Sequence, residues 1–428
     1  RMMLAAGLFL YAIASRRLGR TVFTGPLVFA SLGWILGRGS LGFDEPGAGV
    51  SEIELIALLL EGTLVLVLFG DAMGTNITHW REGTTLPGRL LGIGLPLTFA
   101  AGWGLALLLL SDLSFWEAGL IAIILCPTDA ALGQAVVSNR RVPERIRQAL
   151  NIESGLNDGL ALPVFFVLLE TAQEAEEAAG IGTLAGEVAS QVLIAVAVGA
   201  AAGWLAAKLI LWAAGREWMA PAWGKVALAA VALAAWTLGD GLGGSGLLAA
   251  WVAGMVLGRT LRGANPRIGE FIEDSSHLLT LLSFFVFGAF VLRALDGDVT
   301  WRIGLYGVLS LTVVRLVPVA ISMVGLRLRG PSLLYLGWFG PRGLASIILV
   351  ATVLEEAELA GTSTIITTMA VTVGLSVYAH GASAWWGSNL YANWYESYGD
   401  ESAGFSESGE VPDVPVSRRL GHVDPPQS

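Results

Sequence analysis

Long apolar runs recur from one end of this chain to the other, and no other feature restricts its fold as strongly. Each run holds roughly 15–25 residues, enough for a helix to cross a hydrocarbon core of about 30 Å. A backbone in lipid has no water to bond to, so segments of this kind must close their hydrogen bonds internally, as helices do. The runs are Leu4–Ala14, Val22–Leu36, Ile53–Phe69, Gly88–Leu110, Trp116–Val137, Ile146–Leu169, Val188–Ala214, Trp223–Leu238, Gly246–Leu257, Leu278–Leu292, Ile303–Leu326, Leu333–Leu354 and Ile365–Trp385. They predict an all-α polytopic membrane protein with about thirteen transmembrane helices. A content of 54% hydrophobic and 14% charged residues belongs to the same class and leaves no room between runs for a soluble domain.

The polar remainder predicts the topology and narrows the partners. Basic residues are spread over short loops and form no patch with interleaved aromatics, so nucleic-acid binding is not expected. Arg16, Arg17 and Arg20, then Arg140, Arg141, Arg145 and Arg147, then Arg327 and Arg329 fall on alternate loops. Asp44 and Glu45, Asp112, and Asp296 and Asp298 occupy intervening ones. Positive loops mark the cytoplasmic side, which places the N-terminus outside a plasma membrane and the C-terminus inside the cell. The first run is followed rather than preceded by most of its arginines, so it reads as a true first span and not as a secretory signal. The single cysteine, Cys126, rules out a disulfide framework and reads as a small buried apolar residue. Residues 1–387 form the membrane domain in this reading, and 388–428, rich in serine, proline and acid, a disordered cytoplasmic tail.

Charges inside such runs are costly and are retained for function or for pairing. Asp129 lies in ILCPTDAALG and Asp158 in ESGLNDGLALP. On a helix Glu153 stands one turn before Asn157, and Ser154 one turn before Asp158, giving two adjacent polar stripes. Ser154 and Asp158 offer oxygen ligands suited to hard cations. Pro127 breaks the fifth run and frees backbone carbonyls, so Thr128 can add an oxygen, while Asp129 supplies a carboxylate or caps the helix restart. Gly340-Pro341-Arg342-Gly343 breaks the twelfth run in the corresponding place of the second half, as in transporters built from inverted repeats. Arg315, deep in the eleventh run, is expected to pair with Glu153. Arg342 is expected to neutralise helix-end dipoles at the second break or to snorkel to a cavity. Asp71 ends the third run as a solvated residue or a gate. His380 reads as a satisfied helix-end histidine rather than a proton relay, and His79, His277 and His422 as interface or tail residues.

Taken in order, PTD at 127–129, ESGLND at 153–158, Arg315, GPRG at 340–343, His380-Gly381 and LFGDA at 68–72 resemble the monovalent cation/proton antiporters of the sodium/proton exchanger branch. The resemblance implies that Asp158 binds cation or proton in competition, that Ser154 and Thr128 supply oxygens to Na⁺, and that Asp129 completes a crossing of two broken helices. It also implies a structural Glu153–Arg315 bridge. Asn157 beside Asp158 implies electroneutral one-for-one exchange of Na⁺, K⁺ or Li⁺ for H⁺, without a cofactor and without enzymatic chemistry. A homodimer moving a core against dimerisation helices is the implied assembly. Cys126 and the residues after Asp71 depart from the family pattern, which weakens a ligand role for Asp71.

Three rival classes are weaker. An intramembrane aspartyl protease also uses two aspartates on adjacent spans, but it would show Gly-x-Gly-Asp where this chain has Gly155-Leu156-Asn157-Asp158. A cation channel would need a carbonyl filter or a pore-lining ring, and no such loop is present in the sequence. A sodium-coupled organic-anion carrier is the third alternative.

Overall fold

The computed structural model describes residues 2–18, 21–37, 50–74, 85–129, 131–177, 181–261, 270–295, 299–356, 359–398 and 405–408. Among these residues the regular structure is helical throughout. Arg20, Asp44, Glu45, Asp296, Asp298, His79 and His422 lie outside the described residues.

Every apolar run read from the sequence coincides with a helix or a broken pair. Helices α1 (Met2–Leu18), α2 (Gly25–Gly37) and α3 (Val50–Gly74) come first. Helix α4 (Thr85–Leu109) contains a π-helical turn at Leu90–Gly94. The fifth run gives α5 (Phe115–Ile124), a break, and the short α6 (Gln134–Ser138). Then follow α7 (Glu144–Glu177), α8 (Ile181–Gly215), α9 (Pro221–Gly241), α10 (Gly246–Leu261) and α11 (Glu270–Leu295). Helix α12 (Trp301–Ser322) precedes the second broken pair, α13 (Gly330–Trp338) and α14 (Leu344–Glu356), and α15 (Thr362–Glu396) closes the series. Helices α4, α7, α8, α12 and α15 are long and apolar enough, by length and composition, to cross a membrane.

Local chemistry explains the ends that matter for the site. Ser114 and Glu117 form a capping box at the start of α5, each side chain holding the other residue's amide. Glu117 also accepts the Gly361 amide at 2.6 Å, which ties α5 to the start of α15. The α5 helix stops at Ile124, just before Pro127, whose ring cannot continue the pattern.

The helices sort into two packed groups. In the first, α2 lies on α11, and α10 lies on α3, α8 and α9. Glycines set these distances. A Cβ on Gly33 would stand 2.0 Å from the Phe285 carbonyl oxygen, one on Gly254 2.3 Å from that of Phe69, and one on Gly199 2.3 Å from that of Ala249. Small residues let backbones touch in this way where lipid supplies no hydrophobic force, and the result is a tight scaffold. The second group gathers α4–α7 and α12–α15 around the two breaks. One end of it has its own core of Leu86, Ile146, Val319, Leu336, Phe339 and Tyr391.

The chain beyond residue 387 departs from the expected tail. Helix α15 continues to Glu396 with Ser388, Tyr391 and Ala392 buried. The 405–408 turn docks on the same end, with the Ser406 amide donating to the Arg327 carbonyl at 2.8 Å and Arg145 donating to the Ser406 carbonyl at 2.9 Å. Glu407 is buried, accepts a hydrogen bond from Ser332 at 3.3 Å, and lies 4.0 Å from Arg329. The sequence reading missed this because the burying residues, Tyr391 and Trp394, are sparse among polar ones. Residues 409–428 lie outside the described residues.

Candidate functional site

The two breaks meet. The Asp129 amide donates to the Pro341 carbonyl at 2.8 Å. Arg342 is fully buried, and its Nη1 donates to the Cys126 and Pro127 carbonyls at 2.6 and 3.2 Å. These are carbonyls at the end of α5, so the guanidinium sits where the helix dipole is negative. Of the two roles expected for Arg342, neutralising the helix end is the one its contacts fit. Its own amide donates to Ser376 Oγ at 2.7 Å, and Ser376 Oγ lies 3.1 Å from His380 Nδ1. His380 is buried in mid-helix against Trp338, because α15 runs well past the expected end.

Asp129 holds the start of α14 and braces the turn that precedes α6. Its Oδ1 accepts the amides of Ala131 and Leu132 at 2.6 and 3.3 Å, and its Oδ2 accepts the Leu344 amide at 2.7 Å. Gly343 makes this approach possible, since a Cβ there would stand 2.0 Å from Asp129 Oδ2. Asp158 has no comparable set of partners. Its Oδ1 is buried without a hydrogen-bond partner, which is expensive for a carboxylate unless something cationic or protic arrives.

Both aspartates line one cavity of about 60 Å³, room for a few water-sized species. Leu64, Val67, Gly70 and Asp71 of α3 and Ser276, His277 and Thr280 of α11 face it from the scaffold, and Gln134, Leu344 and Ala345 from the other group. The expected ion set is only partly assembled. Thr128 Oγ1 accepts from Asn157 Nδ2 at 2.7 Å and lies 3.1 Å from Ser154 Oγ. Ser154 borders a separate small cavity with Asn151, Phe339 and Pro341. Thr128 and Ser154 are therefore bonded to each other, and Thr128 also to Asn157, and neither lines the cavity of the aspartates. The cause is Asn157, which is fully buried and draws the Thr128 hydroxyl to its own side of α7.

Glu153 and Arg315 form a bidentate pair, Nη1–Oε1 2.6 Å and Nη2–Oε2 2.8 Å, each side chain 1% exposed. Gly340 is packed against the guanidinium, since a Cβ there would lie 2.4 Å from Nε. Asp71 lies on the wall of the same cavity as Asp129 and Asp158. His277 is the residue that sequence reasoning passed over. The signal was the spacing of His277 and Thr280, which puts both on one face of α11.

The chain matches the family model described as sodium/hydrogen exchanger, transmembrane, over residues 4–385. It belongs to the sodium/hydrogen exchanger family. The chain is 25% identical over 349 residues to "K(+)/H(+) antiporter NhaP" of Alkalimonas amylolytica, covering 80% of this chain and 58% of that protein. It is 24% identical over 352 residues to "K(+)/H(+) antiporter NhaP2" of Shewanella sp. (strain ANA-3), with coverages of 81% and 58%. The chain thus spans a little over half the length of these relatives. Among solved structures, the sodium proton antiporter MjNhaP1 from Methanocaldococcus jannaschii aligns over 92% of this chain and 95% of its own. That match has a TM-score of 0.70 at 22% identity, a likeness of fold. Membership places this chain in a family of transmembrane proteins, in keeping with its long apolar helices.

Proposed function

We propose that the chain exchanges a monovalent cation, Na⁺ with K⁺ or Li⁺ as alternatives, for H⁺ across a plasma membrane, one for one. The observation that carries this reading is the unpartnered Oδ1 of Asp158 in a cavity where two helix breaks meet. Either a proton or a cation satisfies that oxygen, and the two cannot do so together. If the site changes its exposure only when neutral, the ions must travel in opposite directions. The neighbouring polar groups of α7 and the first break add no second exchangeable charge. Glu153 is matched by Arg315, the Asp129 oxygens are held by three amides, and Asn157 is neutral. One charge exchanged for one charge makes the cycle electroneutral.

Thr128 and Ser154 enter the coordination shell when the cation binds. Ser154 stands one turn from Asp158 on α7, and Thr128 is bonded to Ser154. The NhaP relatives are K⁺/H⁺ antiporters and MjNhaP1 is a sodium proton antiporter, so both cations belong in one assay. The N-terminus is outside, the C-terminus is cytoplasmic, and two copies assemble as a homodimer. Exposed Leu193, Trp204, Leu205 and Leu209 give α8 an apolar face suited to lipid or to a second copy.

The test is exchange in proteoliposomes. Adding Na⁺ or K⁺ should dissipate a preset pH gradient, at a rate unchanged when the membrane potential is clamped at zero. Asp158→Asn should abolish this while the protein still folds and inserts. Full-rate exchange by that variant sinks the proposal.

A further inference from the structure

Where the two helix groups face each other across the cavity, the amide of Gln134 and the imidazole of His277 meet, Nε2 to Nε2, at 3.1 Å. Gln134 opens α6, the short helix that resumes after the first break, five residues beyond Asp129. His277 lies on α11, which the scaffold holds through α2. A Cβ on Gly288 of α11 would stand 2.0 Å from the Ala30 carbonyl oxygen, and one on Gly33 of α2 2.0 Å from that of Phe285. One end of the contact is therefore mounted on a rigid block. The other end is mounted on the segment that carries Asp129 and touches Pro341 of the second break. Both side chains line the same cavity as Asp71, Asp129 and Asp158.

We infer that Gln134 and His277 form a strut between the scaffold and the ion-binding group, and that the strut must open and reclose in each transport cycle. The inference rests on the exchange reading above. A cavity that lies between two bodies can change the side it faces only if those bodies shift against each other. Such packed interfaces switch between discrete arrangements rather than deform smoothly. A side-chain hydrogen bond across that interface holds one arrangement, and its loss changes how often the other is reached. His277 and Gln134 are then positioning residues. They act on the rate of reorientation, while the cation meets Asp158.

The experiment uses the full chain in proteoliposomes with Gln134→Cys and His277→Cys introduced together. The one native thiol, Cys126, is buried with its Sγ against the Leu95 carbonyl at 3.5 Å, out of reach of reagent. A short, reducible, homobifunctional thiol cross-linker should abolish cation-driven exchange in the double variant, and reduction should restore it. Each single-cysteine variant should keep its exchange under the same treatment. Full-rate exchange by the cross-linked pair overturns the strut. Should the reduced double-cysteine protein itself be inactive, the alanine cycle decides. Gln134→Ala, His277→Ala and the double variant should each alter turnover threefold or more, by the same factor, with the half-saturating cation concentration unchanged. Factors that multiply, or a change confined to half-saturation, overturn it. Absence of exchange in the unmodified protein would defeat the functional reading instead, so the two failures are distinguishable.

Discussion

Glu153 and Arg315 offer the sharpest energetic test. Both side chains are 1% exposed and meet through two parallel hydrogen bonds of 2.6 and 2.8 Å. Arg315 also donates to the Leu336 carbonyl at 3.4 Å, and Gly340 seals its other side. Removing one partner leaves a full charge buried without compensation, which costs about 3–5 kcal/mol. Glu153→Ala and Arg315→Ala should each lower stability by that amount. The double variant strands no charge and should be more stable than the sum of the single losses predicts, by at least about 1 kcal/mol. Equilibrium unfolding of the purified protein in one detergent, for the parent and the three variants, measures the cycle. Whatever folded protein remains should still exchange cations, because neither residue lines the cavity of Asp158. Single variants as stable as the parent would refute the energetic argument. Normal stability with complete loss of exchange would refute the structural role.

Gly343→Ala drives a methyl group into Asp129 Oδ2, so the bond to the Leu344 amide should break at a cost of about 1.5–3 kcal/mol, read as lower unfolding stability together with slower exchange. Thr128→Val removes a hydroxyl bonded to Asn157 and Ser154 while keeping its shape. Half-saturation by Na⁺ or K⁺ should rise about tenfold, equivalent to about 1.4 kcal/mol, and Thr128→Ser should recover most of it; unaltered half-saturation would remove Thr128 from the cation shell. At the docked end, Glu407→Ala should loosen the 405–408 turn and raise its hydrogen exchange, and unchanged protection would show that the Ser332 and Arg329 contacts do not hold it.

Much of the architecture was legible because lipid is an unforgiving solvent. Apolar runs of spanning length had to become helices, and the runs bounded by Phe115, Glu144 and Thr362 did so within a few residues of the expected starts. Pro127 and Pro341 marked the breaks for the same reason, since each lacks the amide a helix needs. Arg315 and Glu153 announced their pairing because neither charge is tolerable alone at that depth. The sequence by itself therefore determined an all-helical membrane chain, interrupted twice, with its intramembrane charges named.

Tertiary structure decided which atoms those charges meet. Asp129 and Asp158 looked alike in sequence, yet one is saturated by three backbone amides and the other keeps a buried oxygen without a partner. That difference depends on Gly343 bringing the Leu344 amide within reach, from a segment some 200 residues away in the chain. Thr128 and Ser154 share the right spacing with the aspartates but bond to each other, and Thr128 to Asn157, because a hydrogen bond follows distance in space and not position along a helix. His277 gave little sign at all. Its place on the cavity wall follows from how glycines seat α11 against α2, a matter of backbone approach that residue type alone does not specify.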